Sequence, residues 1–268
     1  MDAASTRTLH TGRAMPVLGL GTWNLTHDTA DTVREALRLG YRMIDTSGDY
    51  GSQPGIGEAL RTSEVDREDI FLVAKVEEDE DAFASTRRNL DEMGRGHADL
   101  MLVHRPPPDG VGVSLWEGLI RARDEGLTRD IGVSNYTADQ IDALVERTGE
   151  VPVVNQVEWT PFGWSADFLD YCRGKDILIQ AYSPLTRAER LDDPRLGEIA
   201  SEVQQTPAQV LLRWHLQLGV VPLPKANQVP HLEENLGAFG FELDDEAMSR
   251  VSELNEHYSA LGSLPYVQ

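Results

Sequence analysis

Short apolar segments that end in a polar residue alternate with amphipathic helical segments along this chain, and this alternation limits its fold more than any other feature. Three of the segments end at Asp45, Lys75 and His104, which follow one another at about thirty residues, the length of one strand-plus-helix unit. Eight such segments occur, from residues 17–21 to residues 220–224. Eight parallel strands with intervening helices close into a barrel, so the sequence predicts an α/β fold of the (β/α)8, or TIM-barrel, type.

Two additions to the barrel can be read from the sequence. Residues 8–16 have the pattern of an N-terminal β-hairpin, and helical patterns between residues 194 and 254 predict extra helices near the C-terminus. Thr206 and Gln209 have the spacing of a capping box at the start of one of these helices. No linker-like or low-complexity segment divides the 268 residues, so we expect one domain, residues 1–268.

Composition excludes several classes of partner. A formal net charge of −21 argues against nucleic acid and anionic lipid as ligands. The N-terminus lacks a secretory signal, no apolar run is long enough to span a membrane, and a lone cysteine, Cys172, is typical of a reducing compartment. We therefore expect a cytoplasmic protein, and a monomer. An acid-rich surface suits high salt, so a halophilic source is a hypothesis that activity falling in molar salt would contradict.

The polar residues at the strand ends have the chemistry of proton donation. Tyr50 follows Asp45 by five positions, and a phenol is a poor proton donor at neutral pH unless a nearby positive charge lowers its pKa. Lys75 would supply that charge and Asp45 would hold it in place, so we expect the pKa of Tyr50 to fall toward the working range. His104 would add a directional hydrogen-bond donor for a carbonyl oxygen.

The sequence shows neither an activated nucleophile nor a metal site. The 7 histidines are scattered, and no set of His, Cys and carboxylate residues has metal-ligand spacing. The acidic run at residues 77–81 reads as a solvated face and the start of a helix. A proton donor without nucleophile or metal points to hydride transfer between a bound nicotinamide and a small carbonyl substrate.

The segments now described resemble the aldo-keto reductase family, and the resemblance extends over nearly the whole chain. Any single segment is a weak signal, whereas eight in the same order are highly specific. The similar segments are residues 18–23 (LGLGTW), 45–51 (DTSGDYG), 73–75 (VAK), 102–104 (LVH), 132–135 (GVSN), 155–158 (NQVE), 181–185 (AYSPL) and 222–225 (PLPK). The modest length is similar to that of the shorter prokaryotic-type members.

The resemblance implies a reductase that takes hydride from NADPH, with NADH or dual use also open. It implies that Tyr50 donates the proton. The implied catalytic residues are Asp45, Tyr50, Lys75 and His104, and the implied substrate contacts are Trp23, Tyr50, His104 and Arg105. The implied coenzyme contacts are Thr22, Asp45, Ser134, Asn135, Gln156, Tyr182, Ser183, Leu185, Lys225, Ala226, Asn227, His231, Glu234 and Asn235.

Within this set the resemblance gives each group a place along the coenzyme. Ser134, Asn135 and Gln156 would hold the carboxamide, and Tyr182 would stack on the nicotinamide ring. The loop after Tyr182 would follow the pyrophosphate, and the loop after Lys225 would bind the adenosine end. Simpler interpretations exist: Ser134 and Asn135 are good helix caps, and Tyr182 and Trp23 are ordinary packing residues.

Three departures from the family pattern affect these expectations. Ser52 and Gln53 replace Asn-Glu after the tyrosine loop, which changes coenzyme or loop support. Arg105 replaces the tryptophan after the catalytic histidine and could bind an anionic substrate, or turn to solvent or pair with a local acid. Ala226 and His231 replace the serine and arginine of NADPH-selective members, which weakens the expected preference for NADPH unless other arginines substitute.

Two other functions are compatible with the same sequence. A barrel isomerase or lyase would bind no nicotinamide. A catalytically slow nucleotide-binding regulatory or interaction subunit on the same fold would bind coenzyme but would not need the Tyr-Lys-Asp set.

Overall fold

The computed structural model describes residues 1–25 and 28–267, so residues 26, 27 and 268 of the expected single domain lie outside the described part. Its main sheet contains eight parallel strands paired in chain order. The backbone N–H groups of Gly19 and Gly21 donate to the carbonyl oxygens of Pro222 and Pro224, both at 3.1 Å, and join the first of these strands to the last. The predicted (β/α)8 barrel is confirmed.

The strands and helices follow the expected order with small shifts at their ends. The strands are β1 (Thr6–Thr8), β2 (Ala14–Pro16), β3 (Leu20–Gly21), β4 (Met43–Asp45), β5 (Phe71–Val76), β6 (Ala98–Val103), β7 (Thr128–Ser134), β8 (Val154–Glu158), β9 (Leu178–Tyr182) and β10 (Val221–Pro222). The helices are α1 (Thr29–Leu39), α2 (Gln53–Thr62), α3 (Ala82–Met93), α4 (Val113–Asp124), α5 (Ala138–Thr148), α6 (Ala166–Gly174), α7 (Pro194–Glu202), α8 (Pro207–Leu218), α9 (Val229–Leu236) and α10 (Asp245–Ser252).

The predicted N-terminal hairpin is present as the antiparallel pair β1–β2. Its Leu9 and Met15 are buried in one cluster with Met43, Phe71 and Leu100 of the barrel interior. Phe71 is the first residue of β5, so the hairpin covers the end of the barrel at which the strands begin. The other end, where the strands finish, is the end at which barrels of this type carry their sites.

The first and last strands of the barrel meet at a glycine, Gly21. A Cβ added to Gly21 would lie 2.7 Å from the carbonyl oxygen of Leu223, a distance that no side chain tolerates. The first strand and the last therefore approach one another only because this position carries no side chain. The sequence predicts the first strand at residues 17–21, but only Leu20 and Gly21 form β3. Gly19 still donates a hydrogen bond to the last strand of the barrel.

Helix starts follow the capping signals of the sequence, with one error. Thr206 caps α8, and Gln209 completes the predicted capping box in both directions. The sequence Gln53-Pro54-Gly55 predicts a loop, whereas α2 begins at Gln53. The reason is that Pro54 lies in the first helical turn, where proline lacks only an N–H that has no intrahelical acceptor.

Cys172 is buried in α6, as expected for a packing residue. Burial raises the pKa of its thiol to about 12, so the reactive thiolate is scarce near neutral pH. Among the described residues, no helix combines the length and the apolar character needed to cross a bilayer.

Candidate active site

Four residues predicted to be catalytic meet where the strands end. Asp45 is the last residue of β4, Lys75 lies one residue before the end of β5, and His104 directly follows β6. Tyr50 ends a short 3-10 turn after β4. Adjacent strands are parallel and in register, so these side chains come together at one edge of the barrel.

A buried ion pair lies at the centre of the site. The ammonium Nζ of Lys75 donates to Asp45 Oδ1 at 2.8 Å, to Asp45 Oδ2 at 2.9 Å and to the carbonyl oxygen of Thr46 at 3.1 Å. Gln156 Nε2 donates to Asp45 Oδ2 at 2.8 Å. The side chains of Lys75 and Asp45 are 0% and 5% exposed. Burial alone would lower the pKa of Lys75, but the charge and hydrogen bonds of Asp45 outweigh it and raise the pKa, so Lys75 stays charged.

Tyr50 packs its ring against this cation. Lys75 Nζ lies 4.9 Å from the ring centroid, and the imidazole of His104 meets the ring edge-on with centroids 5.8 Å apart. Burial raises the pKa of Tyr50, and the charge of Lys75 opposes that effect without overcoming it, because Asp45 and Asp49 act in the direction of burial. The expectation of a lowered pKa was therefore wrong for the protein without ligand. The hydroxyl stays protonated, which is the form that donates.

Glu77 is a site residue that sequence reasoning missed. Its Oε2 lies 2.7 Å from Nδ1 of His104, and its Oε1 accepts a hydrogen bond from Ser47 Oγ at 2.7 Å. It belongs to the acidic run interpreted as a solvated face, yet its side chain is only 19% exposed. The sequence signal for this role is that Glu77 lies two residues after Lys75. Side chains two residues apart along a strand point toward the same side, so Glu77 and Lys75 both point toward the site.

The fold also brings Asp49 close to this pair, which no spacing along the chain indicated. One ligand atom from each of Asp49, Glu77 and His104 lies within 4.8 Å of the others. The Glu77 carboxylate, however, already bonds Nδ1 of His104. We therefore interpret the cluster as a hydrogen-bonded acid–imidazole pair with Asp49 at its exposed side.

Two polar chains support the turn that carries Tyr50. Ser52 Oγ lies 3.0 Å from Thr22 Oγ1 and 2.9 Å from Thr46 Oγ1, and Thr22 Oγ1 donates to the carbonyl oxygen of Asp45 at 2.8 Å. Gln53 Nε2 donates to Asn89, which in turn donates to the carbonyl oxygen of Lys75 at 2.9 Å. Ser52 and Gln53 thus provide loop support in place of the family's residues. Thr22, predicted to contact coenzyme, uses its hydroxyl within this network.

The predicted carboxamide group forms a tight cluster at the ends of β7, β8 and β9. Ser134 Oγ donates to the carbonyl oxygen of Gln156 at 2.7 Å, and Tyr182 OH donates to Asn135 Oδ1 at 2.8 Å. Asn135 adopts a left-handed backbone conformation with φ 64°, which asparagine tolerates well. The amide nitrogens of Asn135 and Gln156 are bonded within the protein, and in the described part Gln156 Oε1 has no protein donor. Gln156 Oε1 is therefore left to accept from a carboxamide N–H, and Asn135 Oδ1, which already accepts from Tyr182, has one lone pair left for the same purpose.

The predicted pyrophosphate loop has an unusual backbone. Ser183, Thr186, Arg187 and Ala188 all have positive φ, and such strain in non-glycine residues is concentrated at ligand sites. Arg187 places its guanidinium 4.5 Å from the ring of Trp23, which is 48% exposed. Trp23 therefore lies at the rim of the site and contacts this loop through Arg187. The sequence did not indicate this contact. Half-buried Leu185 lies within the same loop.

The predicted adenosine-binding residues follow β10 and enter α9. Lys225, Asn227 and His231 are exposed and Glu234 is half-buried, whereas Ala226 and Asn235 are buried. Asn235 is 2% exposed, and its Nδ2 makes no well-formed hydrogen bond, although the amide lies close enough to the hydroxyl of Tyr41 to act against the rise that burial causes in the pKa of that phenol. An incompletely bonded amide donor fits the nitrogen atoms of an adenine ring.

Arg105, which follows His104, is exposed. Burial raises the pKa of Tyr182, and the positive charge of Arg105 lies close enough to act against this rise. Its guanidinium therefore lies at the mouth of the site.

Comparisons with known proteins agree with this arrangement. The model of the Aldo/keto reductase family matches residues 17–256. An aldo-keto reductase of Mycobacterium tuberculosis is 39% identical over 260 residues, which is 95% of this chain and 92% of the relative.

Two crystal structures extend the likeness to three dimensions. An aldo/keto reductase from Brucella melitensis is 33% identical with a TM-score of 0.89, covering 95% of this chain and 99% of that one. A Bombyx mori aldo-keto reductase in complex with NADP is 29% identical with a TM-score of 0.89, covering 97% and 95%. The chain therefore belongs to the aldo/keto reductase family and is an NAD(P)H-dependent oxidoreductase.

Proposed function

We propose that this protein reduces small aldehydes and ketones to alcohols with NADPH, and that Tyr50 donates the proton. The observation that carries the proposal is the packing of Tyr50 between a charged, buried lysine and an imidazole at the mouth of the barrel. A carbonyl oxygen held there would meet a hydroxyl donor and an imidazole donor together. A donor pair aimed at one oxygen is the arrangement that stabilises developing negative charge.

Each protein group has a separable role in this proposal. Tyr50 holds the proton that moves to the substrate oxygen, and its raised pKa keeps it protonated before the reaction. Lys75 stabilises the phenolate that remains, and Asp45 keeps Lys75 charged. His104 orients the carbonyl oxygen through a hydrogen bond.

The residues fit a nicotinamide coenzyme, which when bound supplies the hydride. The acceptor oxygens of Asn135 and Gln156 would hold the carboxamide, with Ser134 beside them and the ring of Tyr182 against the nicotinamide. Ser183 and Leu185 would follow the pyrophosphate. The buried donor of Asn235, together with Glu234, would hold the adenine, and structural relatives include complexes with NADP and NADPH.

The test of this function is conversion of an activated aldehyde to its alcohol. We expect alcohol to form in equal amount to the coenzyme oxidised. Coenzyme oxidation without alcohol, or alcohol formation independent of coenzyme, would contradict the proposal.

Coenzyme selectivity is expected to be modest because the 2′-phosphate of NADPH would meet Lys225 but no guanidinium at position 231, while Asn227 would serve a ribose hydroxyl. Ala226→Ser with His231→Arg should raise the preference for NADPH over NADH about tenfold or more, since a charge-assisted hydrogen bond contributes about 1.5–3 kcal/mol and each 1.4 kcal/mol is a factor of about ten. The ratio of kcat/KM for the two coenzymes measures this change.

The matched control for this charge is Glu68→Arg, which adds a guanidinium just before β5 at the opposite end of the barrel. It should leave the coenzyme ratio unchanged. An equal rise in both variants would show a general charge effect and remove the role assigned to His231.

Arg105 is proposed to select carboxylate-bearing substrates. Arg105→Trp should raise KM for a carboxylated aldehyde roughly three- to tenfold, a modest effect because the guanidinium is exposed and solvent screens it. An uncharged aldehyde of similar size is the control and should show no such rise. Equal KM values for the carboxylated aldehyde in both proteins would overturn the assignment.

A further inference from the structure

The pairing of Glu77 with His104 determines which proton the imidazole carries. A neutral imidazole has one N–H and one lone pair, and a protonated imidazole has an N–H at both nitrogens. Nδ1 of His104 lies 2.7 Å from a carboxylate oxygen of Glu77. An ionised carboxylate is an acceptor only, so a bond of this length requires the proton on Nδ1.

The surroundings keep Glu77 ionised. Burial would raise its pKa, but the bonds from His104 and Ser47 and the charges of His104 and Lys75 outweigh burial, so the pKa is lowered. Ser47 Oγ donates to the second carboxylate oxygen at 2.7 Å and so fixes the orientation of the group. Glu77 is therefore ionised, and an acceptor only, near neutral pH.

The consequence concerns Nε2, the nitrogen left for a substrate. If Nδ1 holds the only proton of a neutral ring, Nε2 presents a lone pair, and a lone pair facing a carbonyl oxygen is repulsive. Nε2 can donate to that oxygen only when the ring carries both protons. A charged donor also makes a stronger hydrogen bond than a neutral one.

We propose that Glu77 is a positioning residue that makes His104 act as an imidazolium, so that carbonyl reduction requires the doubly protonated ring. The predicted effect on turnover rests on the proposed function. The predicted protonation state of the His104 imidazole does not. Glu77 acts only through His104.

The other charged and titratable groups in this part of the site come from several elements, and of these Tyr50 and Asp49 lie close to the ring. Asp49 and Tyr50 belong to the turn after β4, Lys75 to β5, Arg105 to the loop that follows β6, and Tyr182 to the end of β9. Lys75 is neutralised by Asp45, and Arg105 is exposed. Of these groups, Glu77 is the one bonded to Nδ1.

The register of the sheet explains why the pair forms. Val76 pairs with Val103, and the backbone N–H of His104 donates to the carbonyl oxygen of Val76 at 2.9 Å. The next residues, Glu77 and His104, therefore leave adjacent strands side by side. The contact is built into β5 and β6 rather than into a loose loop.

The first test reads the ring directly by nitrogen NMR of the His104 side chain without coenzyme or substrate. We expect Nδ1 to carry the proton in the neutral form of the wild-type ring. In Glu77→Gln the amide can donate as well as accept, so a form protonated at Nε2 should appear. A neutral wild-type ring protonated at Nε2 would overturn the proposal, whatever the activity.

The second test is the pH dependence of kcat/KM for reduction of an uncharged aldehyde. Wild type should lose activity at alkaline pH as the ring loses its second proton. Glu77→Gln should lower the maximum about tenfold, because it weakens one oxyanion donor, and should move the alkaline loss to higher pH, because the neutral ring can now donate from Nε2.

Two further variants distinguish positioning from a merely structural role. Glu77→Asp keeps the carboxylate and should retain the wild-type alkaline loss. Ser47→Ala removes the other partner of Glu77 but leaves the carboxylate, and should retain that loss too. An unshifted profile in Glu77→Gln, lowered equally at every pH, would contradict the proposal. If no carbonyl is turned over, the proposed function fails and the NMR result alone decides the state of the ring.

Discussion

Tyr50→Phe is expected to lower kcat/KM for carbonyl reduction by about 10²- to 10⁴-fold, the range that a general acid contributes. The substitution removes only the hydroxyl, and the ring still packs against Lys75 and His104. Coenzyme affinity should therefore change little, because Tyr50 is not among the expected coenzyme contacts. Steady-state kinetics and a coenzyme-binding titration on the same samples measure the two effects.

The matched control is Tyr171→Phe, the same chemical change at a hydroxyl that bonds Asp142 and the carbonyl oxygen of Ala138. It lies on α6 against α5, outside the site, and should leave turnover unchanged. Tyr50→Phe with wild-type kcat/KM would show that the proton comes from another group.

Lys75→Met should affect both stability and turnover. It leaves the carboxylate of Asp45 buried with Gln156 as its remaining side-chain donor, and breaking a buried ion pair costs about 3–5 kcal/mol. Turnover should fall by about 10²-fold or more, because the phenolate of Tyr50 loses its cation. Denaturant unfolding and kcat measure the two losses.

The double variant Asp45→Asn with Lys75→Met separates the two effects. Removing both charges should recover most of the lost free energy of unfolding, because no unpaired buried charge remains. Turnover should stay low. Recovery of turnover along with stability would mean that Lys75 serves the fold and not the chemistry, and a loss below about 1 kcal/mol in the single variant would contradict the buried-pair account.

The fold could be predicted because each barrel unit repeats the same local signals. Apolar segments with polar residues at their ends predict that Asp45, Lys75 and His104 lie together. Thr206 and Gln209 formed the predicted capping box because its partners are three residues apart. Interactions between residues that are close in the sequence could therefore be predicted.

Interactions that depend on tertiary structure could not be predicted from the sequence. Glu77 was taken for one member of an acidic run; its spacing from Lys75 indicated the side toward which it points, but only the β5–β6 register places it beside His104. The direction of the Tyr50 pKa was wrong because the sequence names the neighbouring charges but not the depth of burial. The contact of Arg187 with Trp23 joins two loops whose backbone conformations carry no simple sequence pattern.

The most direct test of the central claim is turnover by the wild-type protein over a broad carbonyl panel. The absorbance of NADPH and of NADH would be followed in parallel, at low and at high salt, with coenzyme binding measured on the same samples. We expect oxidation of the reduced coenzyme that depends on added aldehyde. Tight coenzyme binding with no turnover of any carbonyl at either salt concentration would contradict the reductase and support a nucleotide-binding subunit on the same fold.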